Sequence, residues 1–367
     1  MKITAAVVEK KGGPFLLQEL ELESPRPDEI LVRMVATGIC HSDLAARDQV
    51  TFPFPCPMVF GHEGAGVVEE VGANVSHLKA GDRVLLSRLT CGRCQDCRSG
   101  YSNYCGQQAV LNFSGGRADG STSLSRQGQP VAGHFFGQSS FATYAVANQF
   151  NATLIPAELD LTLAPAFACG VLTGAGAVLN GLRPEVGTSI AVFGCGSVGL
   201  AAVMAAKALG CTTIVAIDPI ASRLDLAREL GATHAIDASA GPTDVTIRQI
   251  APAGVHFSVD ATGVAAVVRS AVECLRRGGQ CALMGVAPAG AEISLNPNRI
   301  AMAGVGIKGF PSGLAEPDVL VPRLIELHLQ GRFPVDRIVK RFPFAQIREA
   351  AEEAESGQAV KPILIFN

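Results

Sequence analysis

The chain has no tryptophan and only three tyrosines, so its aromatic character rests on seventeen phenylalanines among 367 residues. It also has no excess of positive charge: thirty Lys and Arg stand against thirty-three Asp and Glu, for a net charge of −3. That balance gives no general attraction for nucleic acid, which makes a nucleic-acid module the poorest reading. The opening residues, MKITAAVVEKKGG, contain no apolar core followed by a cleavage site, so no signal peptide is expected. The best imitation of a membrane span, residues 190–206, is broken by Gly194, Gly196 and Gly199 and reads as strand, turn and buried helix. No internal repeat or low-complexity tract is found. Hydrophobic residues are 48% of the chain, which makes it globular rather than disordered and long enough for two domains.

What is present in quantity is glycine, forty residues, and cysteine, eleven. Cys91, Cys94, Cys97 and Cys105 form C-x2-C-x2-C-x7-C, four thiols within fifteen residues. The turns between them are too short for the sulfurs to avoid one another, and four such thiols can close tetrahedrally around one Zn²⁺. Such a knot is usually structural. Disulfides are the bland alternative, disfavoured by the crowding, and a zinc ribbon usually pairs two CxxC knuckles across a longer gap. The remaining cysteines, Cys40, Cys56, Cys169, Cys195, Cys211, Cys274 and Cys281, are scattered, and the total is odd. A cytoplasmic protein with reduced thiols and metal sites fits that pattern.

Residues 1–155 read as strands and turns, with strands expected at 30–36, 64–71 and 81–86 and a polar, glycine-rich surface loop at 115–133. After about residue 171 the rhythm becomes strand, helix, strand. Short β runs at 189–193, 213–217, 257–260 and 280–284 alternate with helices at 198–209 and 222–230, the pattern of a parallel, doubly wound α/β sheet. A helical segment at 318–330, an amphipathic helix at 344–356 and a strand at 361–366 follow, and that last strand is expected to return to the first domain.

Gly194-Cys195-Gly196-Ser197-Val198-Gly199 is GxGxxG placed directly after a strand and opening a helix. The first glycine allows the tight turn, the second a close approach to a pyrophosphate, and the third close packing of helix on strand. The helix N-terminus adds N–H groups and a positive dipole. Asp218 follows nineteen residues after Gly199, at the end of the next strand, where its carboxylate can accept from both hydroxyls of an adenosine ribose. The same charge repels a 2′-phosphate, so NAD is expected over NADP. Arg223 either flanks that ribose or is a solvated residue of the next helix.

Cys40, His62 and Cys169 make a second set, far apart in sequence but each in a glycine-bearing context. Two thiolates and an imidazole leave a fourth position open, as a catalytic zinc requires. Taken singly, each cysteine is as readily a small core residue and His62 a satisfied core histidine.

At these residues the chain resembles the zinc-dependent medium-chain alcohol dehydrogenases, over essentially its whole length. The matching pieces are GxCHSD ending at Asp43, GHEGAGxVxxVG from Gly61, the four-cysteine lobe, the run from Cys169 through Thr173 to Ala177, and GxGxxG with its aspartate. Within the family, residues 35–38, 134–144 and 173–177 look closest to bacterial aryl-alcohol (benzyl-alcohol) dehydrogenases. The resemblance implies a GroES-like catalytic domain, 1–170 with 312–367, and a Rossmann coenzyme domain, 171–311, with the active site in a cleft between them. It assigns one zinc to Cys40, His62 and Cys169, with Glu63 able to exchange onto the metal and Asp43 holding the histidine, and a second, structural zinc to the lobe. It further implies NAD contacts from His41, Thr173, Val198 and Lys361, the last at a phosphate. Ser42 matches the hydroxyl that takes the alcohol proton during hydride transfer to NAD⁺. Ala45 stands where many relatives end that relay in a histidine.

Phe135 and Phe136 fall where relatives line the substrate channel, with Val110, Val286 and Phe310 as lesser candidates. Ser87 replaces a bulky aromatic found in many relatives and is expected to widen the pocket. An apolar, aromatic-lined slot favours benzylic or allylic primary alcohols. Medium-chain or terpene alcohols are the runner-up, and a non-catalytic zinc- and NAD-binding protein is the reading from another class. Glutathione-dependent formaldehyde dehydrogenases carry an arginine where this chain has Ala109, which counts against them. The family is usually oligomeric, and a homotetramer, or a dimer, joined at residues 301–309 is expected.

Overall fold

The computed structural model describes residues 1–366, which divide into two compact units. The first comprises Met1–Cys169, Glu316–Ile325 and the chain from Val339 onward; the second comprises Gly170–Ala315 and Glu326–Ile338.

The first unit is built on two sheets. One has the order Met58–Val59, Lys2–Val8, Leu16–Leu22, Leu124–Arg126, Gln129–Val131. The other runs Ala152–Leu154, Arg83–Leu86, Gly64–Val71, Glu29–Gly38, Lys361–Ile365, Val339–Pro343, with Tyr144–Asn148 also paired to Glu29–Gly38. The last strand of the chain does return to the first unit: Ile363 pairs antiparallel with Gly38. The expected surface loop at 115–133 is corrected, because its second half is the hairpin Leu124–Arg126 and Gln129–Val131, turning at Gln127 and Gly128. Polar composition concealed it, since an outer hairpin buries only Leu124 and Val131. The reading of strands and turns alone also misses the helix His41–Arg47, too short for an apolar period but closed at its start by Asp43.

The core of the first unit joins Phe15, Phe54, Phe60, Phe135 and Phe141 with Val7, Met58 and Leu364. Phenylalanine is the main large aromatic there, with Tyr144 packed at its margin, and the rings meet edge to face, Phe60 on Phe135 at 5.3 Å and Phe15 on Phe141 at 5.5 Å.

In the second unit six strands are all parallel, in the order His234–Asp237, Thr213–Asp218, Ser189–Phe193, Val255–Asp260, Leu275–Leu283, Gly306–Gly309. This is the 3-2-1-4-5-6 order of dinucleotide-binding folds, whose ligands lie outside the carboxyl ends of the strands where the order reverses. Strands buried on both faces read as continuous apolar runs, which is why Ser189–Phe193 shows no alternation. Gly306–Gly309, within the segment expected at the subunit joint, is one of the two edge strands. Among the described residues no helix is long and apolar enough to cross a membrane.

His134 bears on the acid stability of the first unit. It is buried, holds a left-handed backbone, and its Nε2 accepts from the Ser123 amide at 3.2 Å. Burial, and then the charge of Arg117, push its pKa down from 6.5 to about 4. A folded pKa below the unfolded one means that this stabilisation is whole above pH 6.5 and disappears as pH falls towards 4. It amounts to about 3 kcal/mol across that window. The denaturation midpoint of wild type is therefore expected to fall steeply between pH 7 and 4.5, and that of His134→Gln less steeply; equal slopes would remove His134 from the account.

Candidate active site and metal centres

One buried carboxylate organises the first metal cluster. Asp43 lies in the first turn of the helix His41–Arg47 and is fully enclosed. Its Oδ2 accepts from the Cys40 amide at 2.9 Å. Its Oδ1 accepts from the Gly61 amide at 3.1 Å and stands 2.9 Å from His62 Nδ1. Asp43 thus ties two distant parts of the chain together and assigns the histidine proton to Nδ1, leaving the Nε2 lone pair directed away.

That Nε2 is buried and meets no hydrogen-bonding partner among the described residues. Around it, one donor atom each from Cys40, His62, Glu63 and Cys169 lie within 4.8 Å of one another. A buried imidazole nitrogen without a partner, facing two thiols and a carboxylate, fits a zinc ion. The Cys169 thiol bonds to Cys40 and, against burial and with the help of His62, holds it well below the usual thiol range, while Cys169 itself is pushed well up. Burial raises Glu63 to about 7.

Lys361, expected at a coenzyme phosphate, is instead 1% exposed and ion-paired to Glu63 Oε2. Burial alone would lower its pKa, but the charges of Glu63 and Cys40 raise it. The resulting pair is possible because residue 38 is glycine: a Cβ there would lie 2.2 Å from Glu63 Oε2.

In the lobe, donor sulfurs of Cys91, Cys94, Cys97 and Cys105 also lie within 4.8 Å of one another. All four are free, and the Cys94–Cys97 and Cys91–Cys97 separations are 3.4 and 3.9 Å. A disulfide needs about 2.05 Å, whereas a tetrahedron of four Zn–S bonds has edges of about 3.8 Å. Backbone amides already point at the sulfurs: Cys94 N–H donates to Cys91 Sγ and Cys91 N–H to Cys105 Sγ. Amides of Cys97 and Gly106 bring Cys94 down to about 6, as a thiolate ligand requires.

The dinucleotide turn is built as its residues imply. Gly194 has φ +90°, and a Cβ on Gly199 would fall 1.8 Å from Gly194 O. At Gly196 a Cβ would meet nothing within 4 Å, so the open face of the turn is where a pyrophosphate can come close. The helix Ser197–Ala208, which begins with Ser197 and Val198, follows directly. Asp218 accepts from the Cys195 amide at 2.7 Å and the Ile220 amide at 2.9 Å, while Arg223 stands 3.9 Å away. Asp218 therefore also braces the turn it serves, and each oxygen keeps a second lone pair. Thr173 is half-buried in the helix Gly170–Gly176.

Other expected residues fall as follows. His41 is exposed, and Ser42, half-buried, has its Oγ 3.8 Å from Cys40 Sγ. Phe136 lies flat against the His62 ring, 4.5 Å between centroids and 25° between planes. Phe135 is 1% exposed and packed among Phe54, Phe60 and Phe113, and it meets the His62 ring edge to face at 5.6 Å. Ser87 is enclosed, and its carbonyl accepts from Gln138 and Asn151. Val110 and Val286 are exposed, and Phe310 is buried against Gly181 within the second unit. Gln138, Asn151 and Phe113 escaped the sequence reading, since no spacing marks an amide that bonds only to backbone.

Two family descriptions match the chain: the alcohol dehydrogenase GroES-like domain over residues 26–157 and the zinc-binding dehydrogenase domain over 197–326. The chain belongs to the zinc-containing medium-chain alcohol dehydrogenases. It is an enzyme of that class, with a GroES-like domain and a Rossmann-type parallel sheet. Geraniol dehydrogenase of Castellaniella defragrans is 42% identical over 364 residues, 99% of this chain and 97% of that protein. The structure of an alcohol dehydrogenase zinc-binding domain protein from Burkholderia ambifaria superposes with a TM-score of 0.98 at 46% identity, covering 100% of this chain and 99% of the other. That of benzyl alcohol dehydrogenase from Acinetobacter calcoaceticus gives 0.97 at 39%, covering both chains completely. A nicotinamide cofactor follows from the family.

Two outcomes are expected. Cys94→Ser lowers the metal content from two ions per chain to one and the thermal midpoint with it, as elemental analysis and a melt of the same sample would read. Asp43→Asn, which cannot hold His62 in the same charge state, weakens metal binding at the Cys40 cluster about 10–100-fold, measured by competition with a chelator.

Proposed function

We propose that the chain oxidises primary aromatic or allylic alcohols to aldehydes, reversibly and with NAD⁺. The observation that carries this is Phe136, a half-buried ring stacked on the zinc-ligand candidate His62. An alcohol whose hydroxyl carbon is attached to a π system can lay that system along such a wall. Benzyl alcohol, named for one relative, is an alcohol of this kind. Conjugation also eases formation of the aldehyde.

Zinc in the donor set Cys40, His62 and Cys169 supplies Lewis acidity towards an alcohol hydroxyl, and NAD⁺ supplies the hydride acceptor. The chain's own part is orientation and proton handling. Asp43 keeps the His62 proton on Nδ1. Ser42 Oγ, beside Cys40, takes the alcohol proton. Ala45 cannot carry it further, so the proton leaves by water or the ribose. Asp218 disfavours a 2′-phosphate, which selects NAD over NADP. A homotetramer, or a dimer, joined at residues 301–309 is part of the same reading.

A medium-chain or geraniol-type specificity is the second reading, favoured by the identity to geraniol dehydrogenase. Steady-state NAD⁺ reduction over benzyl, cinnamyl, geranyl, hexyl and ethyl alcohols separates the two. The first predicts the highest kcat/KM for benzyl or cinnamyl alcohol, at least about tenfold above hexanol, or about 1.4 kcal/mol in the transition state. A maximum at hexanol would overturn it, as would activity surviving complete removal of metal. Cys40→Ser is expected to abolish turnover while NADH binding, followed by fluorescence, persists.

A further inference from the structure

Gln138 is 2% exposed, and its side-chain amide is fully used on backbone beside the metal-ligand candidates. Oε1 accepts from the Gly64 amide at 3.0 Å, and Nε2 donates to His62 O at 2.9 Å and Ser87 O at 3.0 Å. The groups it bridges, His62 O and Gly64 N, stand on either side of Glu63. Ser87 lies just beyond the strand Arg83–Leu86, four residues before Cys91, at the stem of the four-cysteine lobe. The amide therefore has one possible orientation, with its oxygen on an N–H and its nitrogen on two carbonyls.

The neighbours of Gln138 continue the same seam. Ser139 Oγ donates to Val59 O, Ser140 N–H to Gly61 O, and Phe141 N–H to Phe60 O. Residues 138–141 thus follow residues 59–64 bond by bond, and Gln138 closes the end nearest the metal cluster. The loop around it holds left-handed φ values at His134, Phe136 and Ser139. Such conformations persist where the surroundings over-determine them, and they cluster at functional sites.

We propose that Gln138 is a positioning residue for the catalytic metal: its amide fixes the backbone of residues 62–64, and so the reach of His62 Nε2 and the Glu63 carboxylate towards Cys40 and Cys169. It touches neither substrate nor coenzyme in this role, and the role is the same whichever alcohol is oxidised. No side chain but an amide of this length makes all three bonds. Glutamate keeps the acceptor for Gly64 but has no amide donor for the two carbonyls, and methionine fills the space with neither.

The test is metal release. With Co²⁺ in the Cys40 cluster and Zn²⁺ in the lobe, the visible spectrum reports the first site and elemental analysis the second during exposure to a chelator. Gln138→Met is expected to release the cobalt about 10–100-fold faster than wild type, the range typical of outer partners of metal ligands. Its cobalt spectrum should be altered and the lobe zinc retained. The kcat for the alcohol should fall by a comparable factor with KM little changed. Wild-type cobalt release with an unchanged spectrum would overturn the proposal. So would equal loosening of both metals, which marks a general loss of stability. Should Gln138→Met not fold, Gln138→Glu is expected to show the faster release, and wild-type release from that variant overturns the proposal equally.

Discussion

The site depends on one carboxylate that solvent never reaches. Asp43 accepts from the Cys40 amide, the Gly61 amide and His62 Nδ1, and each of these is a hydrogen bond to a charged group, worth about 1.5–3 kcal/mol where the geometry is good. An aspartate buried without such partners would be expensive, and so would the backbone amides it satisfies. The three bonds act together. They start the helix that carries Ser42, set the turn before His62, and choose which imidazole nitrogen faces Cys40 and Cys169. Removing the carboxylate disturbs fold and chemistry at one point, because at this point they are one interaction.

The neighbouring Glu63 is handled in the opposite way. Among the described residues it has no backbone amide to satisfy it, and it sits opposite Lys361 in a place that a β-carbon on residue 38 would occupy. A buried lysine–glutamate pair gains little net stability, since the attraction mostly offsets the loss of hydration. Its value here is positional: the carboxylate is kept within reach of the metal donors while its charge is balanced from the far side. The distribution of charge around the cluster thus depends on a residue of the last strand, almost three hundred positions away in sequence, brought in because Lys361–Ile365 pairs with Glu29–Gly38.

Legibility in the sequence followed the reach of each interaction. The doubly wound sheet was readable because fully buried parallel strands and their helices are written locally, as apolar runs and alternation. The glycine turn was readable for the same reason: Gly194 and Gly199 serve contacts within six residues of one another. Both metal clusters were readable because ligands must be Cys, His or carboxylate, a small alphabet. What stayed hidden were roles made by long-range bonds to backbone. Gln138 is one polar letter in a polar run, and its meaning lies in His62 O, 76 residues away. Lys361 shows a positive charge but not its partner. The outer hairpin at 124–131 buries too little to show an alternating pattern.

Phe135 and Phe136 show most sharply where pattern stops and geometry begins. They are adjacent, identical and both predicted as channel residues, yet Phe135 is enclosed and meets the His62 ring by its edge while Phe136 is half-buried and lies flat on it. The left-handed backbone at His134 and Phe136 sets the two rings 76° apart, so that Phe135 enters the cluster with Phe54 and Phe60 while Phe136 lies along His62. Phe113 closes the outer side at 5.1 Å, and the exposed Phe52 stacks on Phe113 at 5.9 Å, so rings run without a break from the metal ligand to the surface. Isolated rings at a surface need no explanation, but a connected series ending on a candidate metal ligand does. In a chain without tryptophan, this series is the flat apolar surface beside the Cys40 cluster, and it is what the proposed preference for alcohols with a π system next to the reacting carbon rests on.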